Sequence, residues 1–226
     1  MDVYDNFALE NKTPRWKVSN AVLVFFRVLS VLLMIGTLTM SFTFGQKRVS
    51  EHFYLYLTQW GIIMTLLYFL VSLFMFVDKE NTTRLSTFFH VVFTLELFIT
   101  IAFWCLILPT DKNYDPKELS LGMYYLLNSL CHGLPMLCLL VEFFANRIHL
   151  TGKNIQALFG LIFAYLVVNF VGTVLMDFSI YSIITYTDVL SYMVLIMSFG
   201  LAFVFWVVTL KLQNLKYKQG EPILDI

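Results

Sequence analysis

Six long apolar stretches constrain the fold of this chain more than any other feature of its sequence. Each has about the 20 residues that a helix needs to cross roughly 30 Å of hydrocarbon, where no water is available to satisfy free backbone groups. The polar connectors between them are too short to form domains. The sequence therefore predicts an all-α, polytopic membrane bundle of six transmembrane helices in a single transmembrane domain, residues 1–226. The predicted spans are 21–44, 54–77, 85–108, 119–145, 155–176 and 189–210.

The low charge of the chain excludes an ordinary water-facing surface. Charged residues make up 13% of the 226 residues, about half of the roughly 25% in a soluble domain. Basic and acidic residues balance at 15 each, so no strong field favours nucleic acid. We expect membrane lipids as partners, with lateral membrane-protein partners as a further expectation. No phosphate-binding loop or zinc-ligand spacing is present, so no cofactor or metal is expected.

The distribution of positive charge predicts an orientation. Lysines and arginines in the connectors and tails number ten on one side of the membrane and four on the other. Because short cytoplasmic loops carry the positive excess, both termini are predicted to be cytoplasmic. The two Asn-x-Thr sequons, at Asn11 and Asn81, would then lie where glycosylation does not occur. We expect the endoplasmic reticulum or the plasma membrane, with the mitochondrial inner membrane as the alternative.

Five ionisable residues lie inside the predicted helices, and each is a functional-site hypothesis by default because such a residue is costly in lipid. For four of them a structural role is also available. Arg27 lies about two turns into its helix and is expected to extend to the headgroups. Glu142 is interpreted as a boundary carboxylate, paired with Arg147 of the following loop. His90 and Glu96 do not share a helical face, and His90 is interpreted as a hydrogen-bonded packing histidine.

His132 is the fifth such residue, and its surroundings point to a polar pocket. It lies near the middle of the fourth stretch, where neither membrane interface is within easy reach. Asn128 precedes it by one turn on the same face, and Tyr124 and Tyr125 lie one turn further towards the exterior. Pro135 follows within a turn and is expected to kink the helix and open a cavity.

Thr58 is the candidate partner of His132. It lies at the start of the second stretch, in HFYLYLTQWG, and both residues are placed in the exterior half or the middle of the membrane. A threonine hydroxyl needs an adjacent base to become a nucleophile, and histidine is suited to that role. Donors for the resulting oxyanion would be the Asn128 amide or a tyrosine hydroxyl such as that of Tyr125. The alternative is that Thr58 satisfies backbone groups at the helix start.

Two segments carry a resemblance to a known family. YLYLTQW at 54–60 and LLNSLCHGLPMLCLLVEFF at 126–144 resemble the androgen-induced-protein family of six-helix membrane hydrolases. The resemblance implies a threonine hydrolase that cleaves fatty acid esters of hydroxy fatty acids, with Thr58 as nucleophile and His132 as base. The same Thr-Trp helix and fourth-helix histidine also look like the rolling-stone group of membrane proteins, for which no catalysis is implied.

Three functions are consistent with these features. The leading hypothesis is an intramembrane lipid ester hydrolase. The alternative is a non-catalytic structural or accessory subunit of a larger membrane complex, which is suggested by the short loops and the lack of a complete triad. A proton or solute path through His90, Glu96, His132 and Glu142 ranks lowest, because no matching pair of Gly- or Pro-broken helices indicates a transporter.

Overall fold

The predicted six-span, all-α architecture is confirmed in the part of the chain that the structure describes. The computed structural model describes residues 18–45, 50–74, 79–110, 116–117, 119–146, 148–150, 152–176, 181 and 184–216. Six helical stretches in these ranges are long and apolar enough to cross a membrane. The α-helices are α1 Asn20–Phe44, α2 Leu57–Phe74, α3 Lys79–Ala102, α4 Leu121–His132, α5 Leu134–Ala145, α6 Ile155–Met176 and α7 Val189–Lys216.

The bounds of the second and sixth spans differ from the predicted ones. Residues Phe53–Leu55 form a separate 3₁₀ turn, and Tyr56 is extended, so α2 begins at Leu57 instead of residue 54. The end predicted for this span, 75–77, lies outside the described residues. The last helix continues to Lys216 instead of ending at residue 210. Both differences affect polar contacts that are described below.

The fourth span is broken at the predicted place. Helix α4 ends at His132 and α5 begins at Leu134, with Gly133 between them at φ −125° and ψ −45°. Pro135 lies in the first turn of α5, where its missing N–H removes no bond that a helix start could make. The break leaves His132 at the end of α4.

The third span also loses its regular geometry, which the sequence did not predict. After Ala102 the chain continues as a π-helix over Phe103–Ile107 and then as a 3₁₀ turn over Leu108–Thr110. Short π-helical segments inside α-helices occur frequently at functional sites. This one places Phe103 beside His132.

Helix α3 lies at the centre of the bundle, in contact with α2, α5, α6 and α7. The outer faces of α1, α6 and α7 carry large apolar side chains, of which Phe25, Leu175 and Ile196 are 70%, 79% and 73% exposed. A soluble protein rarely exposes so much contiguous apolar surface, whereas lipid accommodates it. We call the end of the bundle at which α1, α3 and α6 begin the basic end, because Lys79, Arg84, Lys211 and Lys216 lie there.

Arg27 and Glu142 do not occupy the positions predicted for them. Arg27 is 2% exposed and Glu142 is fully buried, and the Arg27 Nη2 lies 2.6 Å from the Glu142 Oε1. Arg27 therefore does not extend to the headgroups, and Glu142 is not a boundary carboxylate. The two predictions were wrong because α1 and α5 meet at the same depth, so the two side chains pair with each other inside the bundle, as buried charges generally do. Arg147 lies outside the described residues.

Candidate active site

The structure brings the two predicted catalytic residues into contact. Thr58 is the second residue of α2, and His132 is the last residue of α4. The Thr58 Oγ1 lies 3.3 Å from the His132 Nδ1, although the residues are 74 positions apart. With the proton of the neutral ring on Nε2, the hydroxyl donates to Nδ1, which is the geometry of a nucleophile beside its general base. Thr58 is buried, with 7% of its surface exposed.

Side chains from α6 fix the backbone that leads into Thr58. The Leu55 carbonyl accepts hydrogen bonds from the Tyr165 hydroxyl at 3.0 Å and from the Asn169 amide at 3.1 Å. The preceding Tyr54 carbonyl accepts one from the Trp60 indole N–H at 2.8 Å. A carbonyl just before a helix can otherwise accept a hydrogen bond from one of the first N–H groups of the helix. Because both of these carbonyls accept from side chains, side-chain contacts determine where α2 begins.

The first N–H of α2 is also bound by a side chain. The Leu57 N–H donates to the Tyr181 hydroxyl at 3.2 Å, and the Tyr181 ring packs edge-on against Tyr56. Tyr181 belongs to the connector between α6 and α7, and burial raises the pKa of its hydroxyl, so it stays a neutral phenol. The following N–H is that of Thr58. The start of a helix carries partial positive charge, which favours an anion at this point.

The orientation of the His132 ring is set by an aromatic contact. The imidazole stacks on the Phe103 ring with 3.5 Å between centroids and 2° between planes. Phe103 is the first residue of the π-helical segment, which the sequence gave no signal to predict. Among the described residues, no carboxylate is hydrogen-bonded to His132, so the site is a Thr–His pair and not a triad of the Ser–His–Asp kind.

Neither predicted oxyanion residue is hydrogen-bonded to this pair in the part of the chain that the structure describes. Asn128 lies one turn before His132 and is half-buried, and within the described ranges its amide makes no hydrogen bond to Thr58 or His132. The Tyr125 side chain is 48% exposed and packs on Tyr124. The Leu57 N–H is bound by Tyr181, and the N–H groups of Gln59 and Trp60 donate to the Tyr56 carbonyl, so the Thr58 N–H is the backbone donor at the nucleophile. A helix that begins at the nucleophile is the sequence signal that could have indicated this donor.

Glu96 forms a second polar site beneath the pair. It is fully buried, its Oε1 accepts a hydrogen bond from the Thr65 hydroxyl at 3.3 Å, and its Oε2 has no partner among the described residues. Thr65 lies seven residues beyond Thr58 on the same face of α2, about 10 Å along the axis. Gly61 lies between these two levels and packs closely against the Glu96 carboxylate. Among the described residues, no hydrogen bond joins Glu96 to Thr58 or His132.

His90 is the packing histidine that was predicted. Its Nε2 lies 2.8 Å from the Thr209 hydroxyl of α7, and its ring stacks on Trp206 with 3.4 Å between centroids. It lies 1% exposed on α3. These contacts join α3 to α7 and account for a polar side chain at this depth.

The fold and the Thr–His contact define a multi-pass membrane protein with a candidate hydrolytic pair. The chain matches the FAR-17a/AIG1-like protein family over residues 22–217, which includes nearly all of the six spans, and it belongs to that family, the androgen-induced gene 1 family. The resemblance found in the two sequence segments is thereby confirmed, and the rolling-stone group is not supported. No curated protein and no solved structure matched the chain.

Proposed function

We propose that this protein is an intramembrane hydrolase of fatty acid esters of hydroxy fatty acids, with Thr58 as nucleophile and His132 as general base. The observation that carries the proposal is the 3.3 Å contact between the Thr58 Oγ1 and the His132 Nδ1. Membership of the family is consistent with a membrane hydrolase. The apolar bundle around the pair suits a substrate with two acyl chains.

The proposed reaction proceeds through an acyl-threonine. The Thr58 oxygen attacks the ester carbonyl carbon while His132 takes the hydroxyl proton, which gives a tetrahedral oxyanion. The intermediate collapses, the bond to the alcohol oxygen breaks, and His132 returns the proton to the departing hydroxy fatty acid. A water molecule then attacks the acyl-threonine, with His132 as base again. This step releases the fatty acid and restores Thr58.

The start of α2 supplies the electrostatic stabilisation in this proposal. The Thr58 N–H lies in the first turn of the helix, where the backbone dipoles favour the developing negative charge. The Asn128 amide, one turn before His132, is the side-chain donor that we propose in addition, and the Tyr125 hydroxyl lies nearer the lipid. Losing one oxyanion donor costs roughly 100- to 1,000-fold in rate in well-studied hydrolases.

Hydrolysis by the purified protein tests the proposal. The substrate is an ester of palmitic acid with a hydroxystearic acid, and the readout is the release of both acids. Thr58→Ala and His132→Ala should each lower the turnover by about 100-fold or more, because each removes one half of the nucleophile–base pair. Thr58→Ser keeps a hydroxyl and should retain measurable turnover.

Two matched substitutions serve as controls. Thr65→Ala removes a hydroxyl from the same face of α2, and His90→Ala removes an imidazole from α3, and neither residue contacts the Thr58–His132 pair. Both should keep turnover near the wild-type level once the folded fraction is measured. Equal turnover in the wild type, Thr58→Ala and His132→Ala would contradict the proposal. An inactive wild-type protein that copurifies with fixed membrane partners would support the accessory-subunit alternative.

A further inference from the structure

A cleft of about 720 Å³ opens at the basic end of the bundle, between α2, α3 and α6. Its volume is within the range of roughly 300–1,000 Å³ that small-ligand sites occupy. Neither Thr58 nor His132 is among its lining residues, and Met64, which lines it on α2, lies six residues beyond Thr58, about 9 Å along the helix axis. The cleft is therefore not part of the proposed active site.

The lining of the cleft changes from polar to apolar with depth. Arg84 is the second residue of the apolar part of α3, and Gln156 is the second residue of α6, so both lie at the level of the headgroups. Val91 lies seven residues further along α3, about 10 Å deeper. Met64 lies ten residues before the end of α2, about 15 Å into a hydrocarbon layer of roughly 30 Å. The cleft thus extends from one interface to the bilayer midplane.

The polar end of the cleft carries a positive charge. Arg84 is the charged side chain among the described lining residues, and it is exposed. Beside it, the Asn154 amide donates to the Thr87 hydroxyl at 2.7 Å, which ties α3 to the turn before α6 and fixes the shape of this rim. A guanidinium binds phosphate oxygens in a bidentate manner.

We propose that this cleft binds one acyl chain of an anionic phospholipid from the leaflet at the basic end, with the lipid phosphate at Arg84. Charge complementarity identifies the headgroup, because the rim presents a cation at the depth where lipid phosphates lie. The length of the apolar part identifies the chain, because it matches the thickness of one leaflet. The inference is independent of the proposed hydrolysis.

Native mass spectrometry of the purified full chain tests this site. The protein is titrated with phosphatidylglycerol and with phosphatidylcholine of the same acyl chains, and with oleic acid in a separate arm. Phosphatidylglycerol should bind at least about fivefold more tightly than phosphatidylcholine, since a basic residue near an anionic lipid contributes a factor of this size. Arg84→Gln should remove that preference. Ala157→Phe should lower the affinity for both phospholipids, because it fills the cleft.

Two control variants separate the cleft from general attraction to anionic lipid. Lys211→Gln removes an exposed positive charge at the same end, and Ala21→Phe adds a ring on the exposed face of α1. Neither should change the phosphatidylglycerol preference. Equal affinity for the two phospholipids would overturn the proposal, as would equal losses in Arg84→Gln and Lys211→Gln. Tight oleic acid binding that depends on Arg84 and displaces phosphatidylglycerol would assign the cleft to a fatty acid instead.

Discussion

Glu142→Gln removes a buried charge while keeping the size of the side chain. The Glu142 Oε1 accepts four hydrogen bonds, from Arg27 Nε at 3.0 Å, Arg27 Nη2 at 2.6 Å, the Tyr68 hydroxyl at 3.0 Å and the Asn146 amide at 3.3 Å. Arg27 also donates to the Ser72 carbonyl at 2.9 Å. A glutamine oxygen can still accept these bonds. The substitution therefore isolates the cost of leaving the Arg27 guanidinium without a counter-charge.

The expected cost is about 3–5 kcal/mol of the free energy of unfolding, which is the usual penalty for breaking a buried ion pair from one side. Arg27→Met should cost less than Glu142→Gln. The reason is that a carboxyl group left alone can bind a proton and become neutral, whereas a guanidinium keeps its charge at any accessible pH. The double variant should be more stable than Glu142→Gln alone, because it no longer buries a guanidinium without its carboxylate.

Reversible unfolding in mixed micelles, followed by circular dichroism, measures the four species of this double-mutant cycle. The coupling between Arg27 and Glu142 is expected to be about 1–3 kcal/mol, as for residues in one hydrogen-bonded network. Lys211→Gln removes an exposed charge at the same end of the bundle and should change the stability by less than about 0.5 kcal/mol. If Arg27→Met is the more damaging single change, or if the two effects simply add, the reasoning is refuted.

Three further predictions concern single positions. Asn169→Leu removes the hydrogen bonds that the Asn169 side chain makes with the Leu55 carbonyl, the Tyr165 hydroxyl and the Tyr186 hydroxyl. It should cost about 1–3 kcal/mol, seen as a lower thermal midpoint, and an unchanged midpoint would contradict it. In Gly61→Ala the new Cβ would overlap the Glu96 Oε1, so a loss of about 1–3 kcal/mol is expected. Gly36→Ala, with nothing within 4 Å of the new Cβ, should instead stabilise α1. Hydrogen bonds lower the pKa of Asp188 below its usual value of 3.8. The stabilisation of the folded protein by the ionised Asp188 should therefore be complete above pH 3.8 and be lost as the pH falls through that lowered pKa. Unfolding of Asp188→Asn, measured against pH, should lack this loss.

The sequence predicted the number of spans and the break at His132 because both depend on local features. Length and hydropathy determine which segments enter the membrane, and Pro135 cannot lie in the interior of a regular helix without kinking or breaking it. The proximity of Thr58 to His132 was harder to predict, since hydropathy orders the spans without saying which faces meet. The resemblance to a family supplied that pairing, and the 3.3 Å contact agrees with it.

Three features could not be predicted because they depend on how the helices pack. The partner of Arg27 is chosen by the rotation of α5 towards α1, which no local pattern encodes. Lys216 looks like a tail residue in the sequence, yet it is fully buried and donates to the Asn146 Oδ1 and the Ile148 carbonyl, both at 2.8 Å. The π-helical segment that begins at Phe103 brings that ring onto His132, and no local pattern encodes this contact.

The Arg27–Glu142 pair also has a consequence for the order in which the protein is made. Its two members are separated by 115 residues, which takes about 6–23 s to synthesise at roughly 5–20 residues per second. During that interval α1 must hold an arginine in the membrane without its carboxylate. Arg27 lies seven residues from the start of α1, about 10 Å, so its long side chain can reach the interface in the nascent chain. Arg27 is thus close enough to the interface to be solvated before Glu142 is made, and deep enough to pair with Glu142 in the finished bundle.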